Sequence, residues 1–293
     1  MNVIKNLSIT TAGAVVIALG IVGKAQAATL SYSITDLGST NYDSFDYLGN
    51  LAVGGKTYNA TSYVQGSSIF SNNGTLLIDL STVVPVSSYP FSSTTAVAIN
   101  NFNQVAGNTG YAESFFWSQG TGILPVKGTY SSATDINNLG QVVGSSGAPD
   151  AGWTGYVWNP DGSTFSIGLL PDFDRGSGGT FAEAINDRGQ VVGFEGSSST
   201  SQSVAILYNE GTLYNLNSLI PANLGWALEE ALDINNQGQI VGTGLFNGEE
   251  RTFLATPISD TTGVPEPSTI LGTLVFGAVS ASSLLKRKRH KKK

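Results

Sequence analysis

Ala133-Thr-Asp-Ile-Asn-Asn-Leu-Gly-Gln-Val-Val-Gly144 decides how this chain is read, because it is written out at least four times. The other copies occupy residues 96–107 (AVAINNFNQVAG), 182–193 (AEAINDRGQVVG) and 231–242 (ALDINNQGQIVG). Their starts lie about 40–50 residues apart, the period of solenoids, propellers and arrays. Within a copy, Ala-x-(Asp/Ala)-Ile alternates with the period of a strand. The Asn-Asn-Leu-Gly cluster tolerates positive φ, as a hairpin loop requires. Gln-Val-Val-Gly is the returning strand, and its last glycine suits a close backbone approach or a bulge. The copy at 96–107 carries Asn103 where the others have Gly, and Asn is the next-best left-handed residue. Asn100, Asn137, Asn186 and Asn235, with Gly107, Gly144, Gly193 and Gly242, are therefore the structural repeat positions.

Moving outward, an aromatic strand, a Gly turn and a strand ending in Leu follow each hairpin. Ser114-Phe-Phe-Trp117, Gly155-Tyr-Val-Trp158 and Ala205-Ile-Leu-Tyr208 begin three of these, and Ser68-Ile-Phe70 an earlier one. Each unit is about four short strands, which is one blade of a propeller or one rung-pair of a β-rich array. Tyr47-Leu-Gly-Asn-Leu-Ala-Val-Gly54 reads as a degenerate first hairpin, which brings the count to five. The last unit has Arg251-Thr-Phe-Leu-Ala-Thr256 and no strand ending in Leu behind it. Tyr32-Ser-Ile-Thr-Asp-Leu37 at the front of the chain would supply that strand. The expectation is an all-β repeat domain over 28–258, a five-bladed propeller closed by its N-terminal strand, since closure removes bare edges. Trp117, Trp158, Tyr208 and Phe253 are placed at one repeat position and expected to pack between blades. Residues 219–230 are expected to hold a helical turn.

The ends read as targeting segments. Residues 1–27 have a basic start, a short apolar run and Ala25-Gln-Ala27 before Ala28, the pattern of a cleaved secretory signal. A polar linker spans 259–268. Residues 269–285 are uncharged and mostly apolar, long enough for a short transmembrane helix. The basic tail at 286–293 belongs on the cytoplasmic side by the positive-inside bias.

The C-terminus resembles the PEP-CTERM sorting signal of bacteria: Val264-Pro265-Glu266-Pro267-Ser268 stands for its signature, followed by the helix and basic tail. That resemblance implies an exosortase-type processing enzyme as partner, and delivery to the cell surface or outside the cell. The repeats resemble the HAF family of extracellular repeats. The His-Ala-Phe tripeptide of that family is replaced here by Glu113-Ser-Phe115, Thr154-Gly-Tyr156 and Arg251-Thr-Phe253. By family analogy, extracellular polysaccharide is the expected environment.

Composition narrows the chemistry. There is no Cys, so stability in an oxidising compartment must come from packing and closure. Only Lys56, Lys127, Arg175, Arg188 and Arg251 lie in 28–267, against all 21 acidic residues. Such a surface repels nucleic acid. The one His is His290, in the basic tail, which removes His-based nucleophilic catalysis and His-ligated zinc from the domain. No cofactor is expected.

Two other readings stay open. A glycoside-active enzyme could use paired acids such as Asp172 and Asp174, Glu229 and Glu230, or Glu249 and Glu250. The Glu pairs read more simply as solvated loop charges. A calcium-dependent adhesion module could use Asp172 and Asp174, the weak metal candidates, in a Gly-rich loop. Asp135 and Asp233 read as hairpin-stabilising. The leading expectation is a non-enzymatic binding or structural protein.

Overall fold

In each copy of the repeat, an Asn closes the turn that joins two strands. The N–H of Asn137 donates to the carbonyl of Gln141 at 3.1 Å, and that of Gly140 to Asn137 at 3.0 Å. The same pair of bonds recurs at Asn100, Asn186 and Asn235. Gly140, Gly189 and Gly238 hold φ near +75°, and Asn103 takes the same left-handed conformation at 57°. The computed structural model describes residues 30–40, 42–46, 48–52, 55–82, 94–110, 113–127, 130–148, 152–174, 176, 178–200 and 202–258. The signal segment with Ala25, Ala27 and Ala28 lies outside the described residues. So do the Val264–Ser268 motif, the apolar stretch 269–285 and the basic tail. Among the described residues no helix is long and apolar enough to cross a membrane.

The fold is all-β, with several sheets and, among the described residues, three short 3-10 turns. Unit II pairs Thr94–Ile99, Val105–Thr109, Glu113–Ser118 and Gly122–Lys127 in sequence order. Unit III repeats this with Ser131–Ile136, Val142–Ala148, Gly152–Trp158 and Thr164–Ser166. Unit IV does so with Gly179–Ile185, Val191–Gly196, Ser203–Asn209 and Thr212–Asn215. A parallel bridge between Trp153 and Gly179 joins the sheets of units III and IV. Unit V contains Trp226–Ile234, Ile240–Phe246 and Glu249–Pro257, and its fourth strand is Tyr32–Gly38, antiparallel to Glu249–Pro257. The N-terminal strand thus completes the last sheet.

The front of the chain differs from expectation. Where a first repeat hairpin is expected at 47–54, Ser44–Phe45 pairs with Leu51–Ala52 as a separate two-stranded sheet; residues 47, 53 and 54 lie outside the described residues. Unit I is a three-stranded sheet of Ser62–Gln65, Ser68–Ser71 and Leu76–Asp79, preceded by a bridge between Tyr58 and Tyr63. Its turn residue is Asn59, whose Oδ1 accepts from the N–H groups of Thr61 and Ser62. The repeat Asn of the first unit is therefore Asn59, in a turn one residue shorter than the others and without glycine. The hairpin at 44–52 is an additional element between units V and I.

The four repeated glycines answer to a bulge. In each hairpin the register slips by one residue, after Ala96, Ala133, Ala182 and Ala231. Those alanines pair with Gly107, Gly144, Gly193 and Gly242. A Cβ on Gly144, Gly193 or Gly242 would collide with the carbonyl oxygen of Ser132, Phe181 or Glu230. On Gly107 it would strike the ring of Phe115.

Hydrophobic clusters lie between neighbouring units. Phe116, Ala98 and Ala106 of unit II pack with Ala133, Val142, Tyr156 and Trp158 of unit III. Trp158 sits 5.3 Å from Phe116, centroid to centroid, and Trp117 packs against Val64 and Ile69 of unit I. Phe253 departs from the expected row. It pairs with Gly242, as Phe115 does with Gly107 and Tyr156 with Gly144, so it belongs two residues earlier in the repeat. Ala255, opposite Ile240, holds the position equivalent to Trp117 and Trp158. The single turn expected within 219–230 falls instead at Leu216–Leu219, and Glu229 and Glu230 belong to the strand Trp226–Ile234.

A candidate binding funnel built by the repeat asparagines

Each repeat Asn is buried and makes bonds in two directions. Within its own loop, Asn137 Oδ1 accepts from the N–H groups of Leu139 and Gln141, and its amide donates to Gln141 Oε1 at 2.8 Å. The same amide crosses to the carbonyl of Asn186 in the next unit at 3.0 Å. Asn100 donates to Asn137, Asn186 to Asn235, and Asn59 to Asn100, each through its side-chain amide. Asn235 donates to the carbonyl of Gly49 in the hairpin at 44–52. The hairpin at 44–52 has Asp46 at this position, and a carboxylate lacks the N–H for such a bond. Asn59 supplies the donor to Asn100 instead. An outer row follows the same order: the N–H of Asn101 donates to Asn138 Oδ1, that of Asn138 to Asp187 Oδ1, and that of Asp187 to Asn236 Oδ1, while the Asn236 amide donates back to Asp187.

These loops surround a cavity of about 290 Å³, lined by residues from all five units and from the hairpin at 44–52. Its floor carries Lys56, Asp135 and Asp233. Lys56 leaves the 3-10 turn Gly55–Thr57 and donates to the carbonyls of Glu183 at 2.8 Å and Leu232 at 3.0 Å. Glu183 and Leu232 are the extra residues of their bulges, and a bulge takes its carbonyl out of regular pairing. Asp135 accepts from the N–H of Ile185 at 2.9 Å, and Asp233 from those of Phe45 at 2.7 Å and Ile234 at 2.7 Å. Asp135 therefore fastens unit III to unit IV, where the sequence suggested bracing within a hairpin, while Asp233 braces its own hairpin at Ile234 and ties it to the hairpin at 44–52. Lys56 carries no sequence signature; its only signal is that it is one of five cations in a domain rich in acids.

Burial dominates the electrostatics. It pushes the Asp135 carboxyl up to about 7, with Lys56 opposing and Asp233 adding to the rise. Asp233 is raised too, chiefly by burial, against the pull of Lys56. Burial works against the charge on Lys56, but Asp233, Asp135, Glu183 and Asp43 outweigh it and hold its pKa above the ordinary lysine value.

A second cavity, of about 440 Å³, is lined by Ser39, Thr40, Glu229, Glu230, Glu250 and Arg251 among others. Glu229 and Glu230 are half-buried strand residues here, not solvated loop charges. Burial and then Glu229 raise the pKa of Glu230. Glu249 stays exposed and pairs with Arg251 at 2.6 Å. Asp172 and Asp174 lie exposed beyond Leu170 and reach neither cavity. Among the described residues no three His, Cys, Asp or Glu side chains converge as a metal site would require.

No protein-family model matches this chain, and a search of curated proteins finds no match.

Proposed function

We propose that this is an exported, non-enzymatic β-repeat protein that binds at the cell surface or in the extracellular matrix, with exopolysaccharide as its surroundings. Its architecture in this reading is a five-bladed propeller closed by the N-terminal strand, with the hairpin at 44–52 wedged at the seam. The observation that carries the reading is the succession of amide-to-carbonyl bonds from Asn59 through Asn100, Asn137, Asn186 and Asn235 to Gly49. It passes from unit to unit and returns to the front of the chain, as a ring would. A polar funnel shared by every unit is what such a ring leaves at its axis, and concave sites of this kind are where ligands dock.

Export rests on the resemblance of the two ends to a secretory signal and to a PEP-CTERM signal. An exosortase-type enzyme would act at Val264–Ser268, with the stretch 269–285 holding the chain in the membrane until then. Intact mass and fractionation of the protein from its native host test this. A species starting near Ala28, ending near Pro265 and found outside the cell is expected. A membrane-bound species that still carries Lys286 to Lys293 would overturn release, and a cytoplasmic one would overturn export.

A further inference from the structure

Lys56, Asp135 and Asp233 line the same cavity. Asp135 and Asp233 are only 7% and 5% exposed, yet among the described residues neither forms a direct ion pair with Lys56. An ammonium has three N–H donors, and Lys56 spends two, on Glu183 and Leu232. A carboxylate has about four acceptor sites, and backbone N–H groups use only part of those on Asp135 and Asp233. One donor and several acceptors are therefore left over at the base of a concave polar site. A group that both donates and accepts would bridge them, and burial favours such partners.

We propose that the floor of the funnel seats one uncharged sugar residue, whose hydroxyls bridge the Lys56 ammonium and the carboxylates of Asp135 and Asp233. The assignment rests on the binding role proposed above and names its ligand. A hydroxyl donates and accepts at once, which suits a floor with both kinds of free valence. A metal ion would have to settle beside the Lys56 ammonium. An anion would meet Asp135 and Asp233 on the floor and Asp46 and Asp187 on the wall. A neutral polyol meets neither penalty. The volume, about 290 Å³, falls just short of the range of drug-sized ligand sites, which starts near about 300 Å³. It has room for a single ring rather than a chain. The wall amides of Asn100, Asn137 and Asn186 are committed to one another, so selectivity belongs to the floor.

The test is saturation-transfer NMR and calorimetry on the full chain with glucose, galactose and N-acetylglucosamine, against glucuronate and glucosamine as charged controls. Asp135→Asn keeps an acceptor for the Ile185 N–H but loses the carboxylate. It should weaken binding about tenfold, the loss of one hydrogen bond to a charged group. Asp161→Asn, on an exposed turn, should leave binding unchanged. Saturation by none of the neutral sugars would overturn the proposal and leave only water in the bridge. So would preference for a charged sugar, or an Asp135→Asn chain that binds as tightly as the parent. A secreted chain that binds no sugar sinks the seat alone; a chain that binds sugar but stays in the cytoplasm sinks the export reading alone.

Discussion

Asn137 satisfies two N–H groups of its own loop, one glutamine side chain and one carbonyl of the next unit, all from one buried amide. Asn137→Ala strands those partners away from water, and each buried group left unpaired costs about 1–3 kcal/mol. The expected loss is about 3 kcal/mol or more in urea unfolding, against a small change for exposed Asn73→Ala. A loss below about 1 kcal/mol would mean that the loop holds without its amide. Asp135 gives a prediction of opposite character. Its folded pKa, about 7, lies above the ordinary aspartate value because burial disfavours the charge. The folded state then binds more protons than the unfolded state between about pH 4 and 7, so this group's contribution to stability falls as pH rises through that window. Asp135→Asn should therefore gain stability relative to the parent as pH climbs from about 4 to 7, and hold the gap constant above it. Melting curves across that range check it, and a gap that shrinks with rising pH would refute the burial argument.

At the scale of elements, the four full hairpins were legible because Asn, Gly and the alternating apolar residues each have one local task. What was not legible followed from the absence of those tasks. The turn at Asn59 has neither Gly nor Gln, and only the bond from its amide to Asn100 identifies it as the missing copy. The misplacement of Phe253 has a similar cause, since spacing alone cannot reveal that Gly242 lies opposite it. Lys56 could not be found because its partners, Glu183 and Leu232, are distant backbone carbonyls. The strand Tyr32–Gly38 was visible because the last unit lacked a strand. It buries Tyr32 against Phe253, Ala255 and their neighbours and covers the edge of Glu249–Pro257. A chain beginning at residue 41 exposes that edge and should associate through it in gel filtration. A synthetic peptide of residues 30–40 should restore the elution volume of the parent chain. A truncated chain that stays monomeric without peptide would show that the strand is dispensable.

For the whole molecule, the decisive fact is where the two ends of the described domain, near residues 30 and 258, emerge. Tyr32 pairs with Pro257, and the N–H of Ile258 donates to Ser31, so both ends leave side by side. They leave beside the loop of unit V, because Gln239 of that loop reaches Thr256 and Ile240 pairs with Ala255. That loop is one of those enclosing the funnel. A chain held in a membrane by residues 269–285 would then present its funnel toward the anchor and the opposite loops toward the medium. Under the proposed sorting, release near Pro265 would free the funnel as well as the protein, and sorting and ligand access would be one event. The absence of Cys makes this measurable with single thiols. Leu139→Cys marks an exposed loop tip on the funnel side, and Thr200→Cys an exposed turn between the second and third strands of unit IV, at the other end of the sheet. A bulky maleimide should label Thr200→Cys faster than Leu139→Cys on the membrane-held form, and both alike on the released form. Equal labelling before release would mean that the linker at 259–268 lets the domain turn freely, and that access to the funnel does not depend on cleavage.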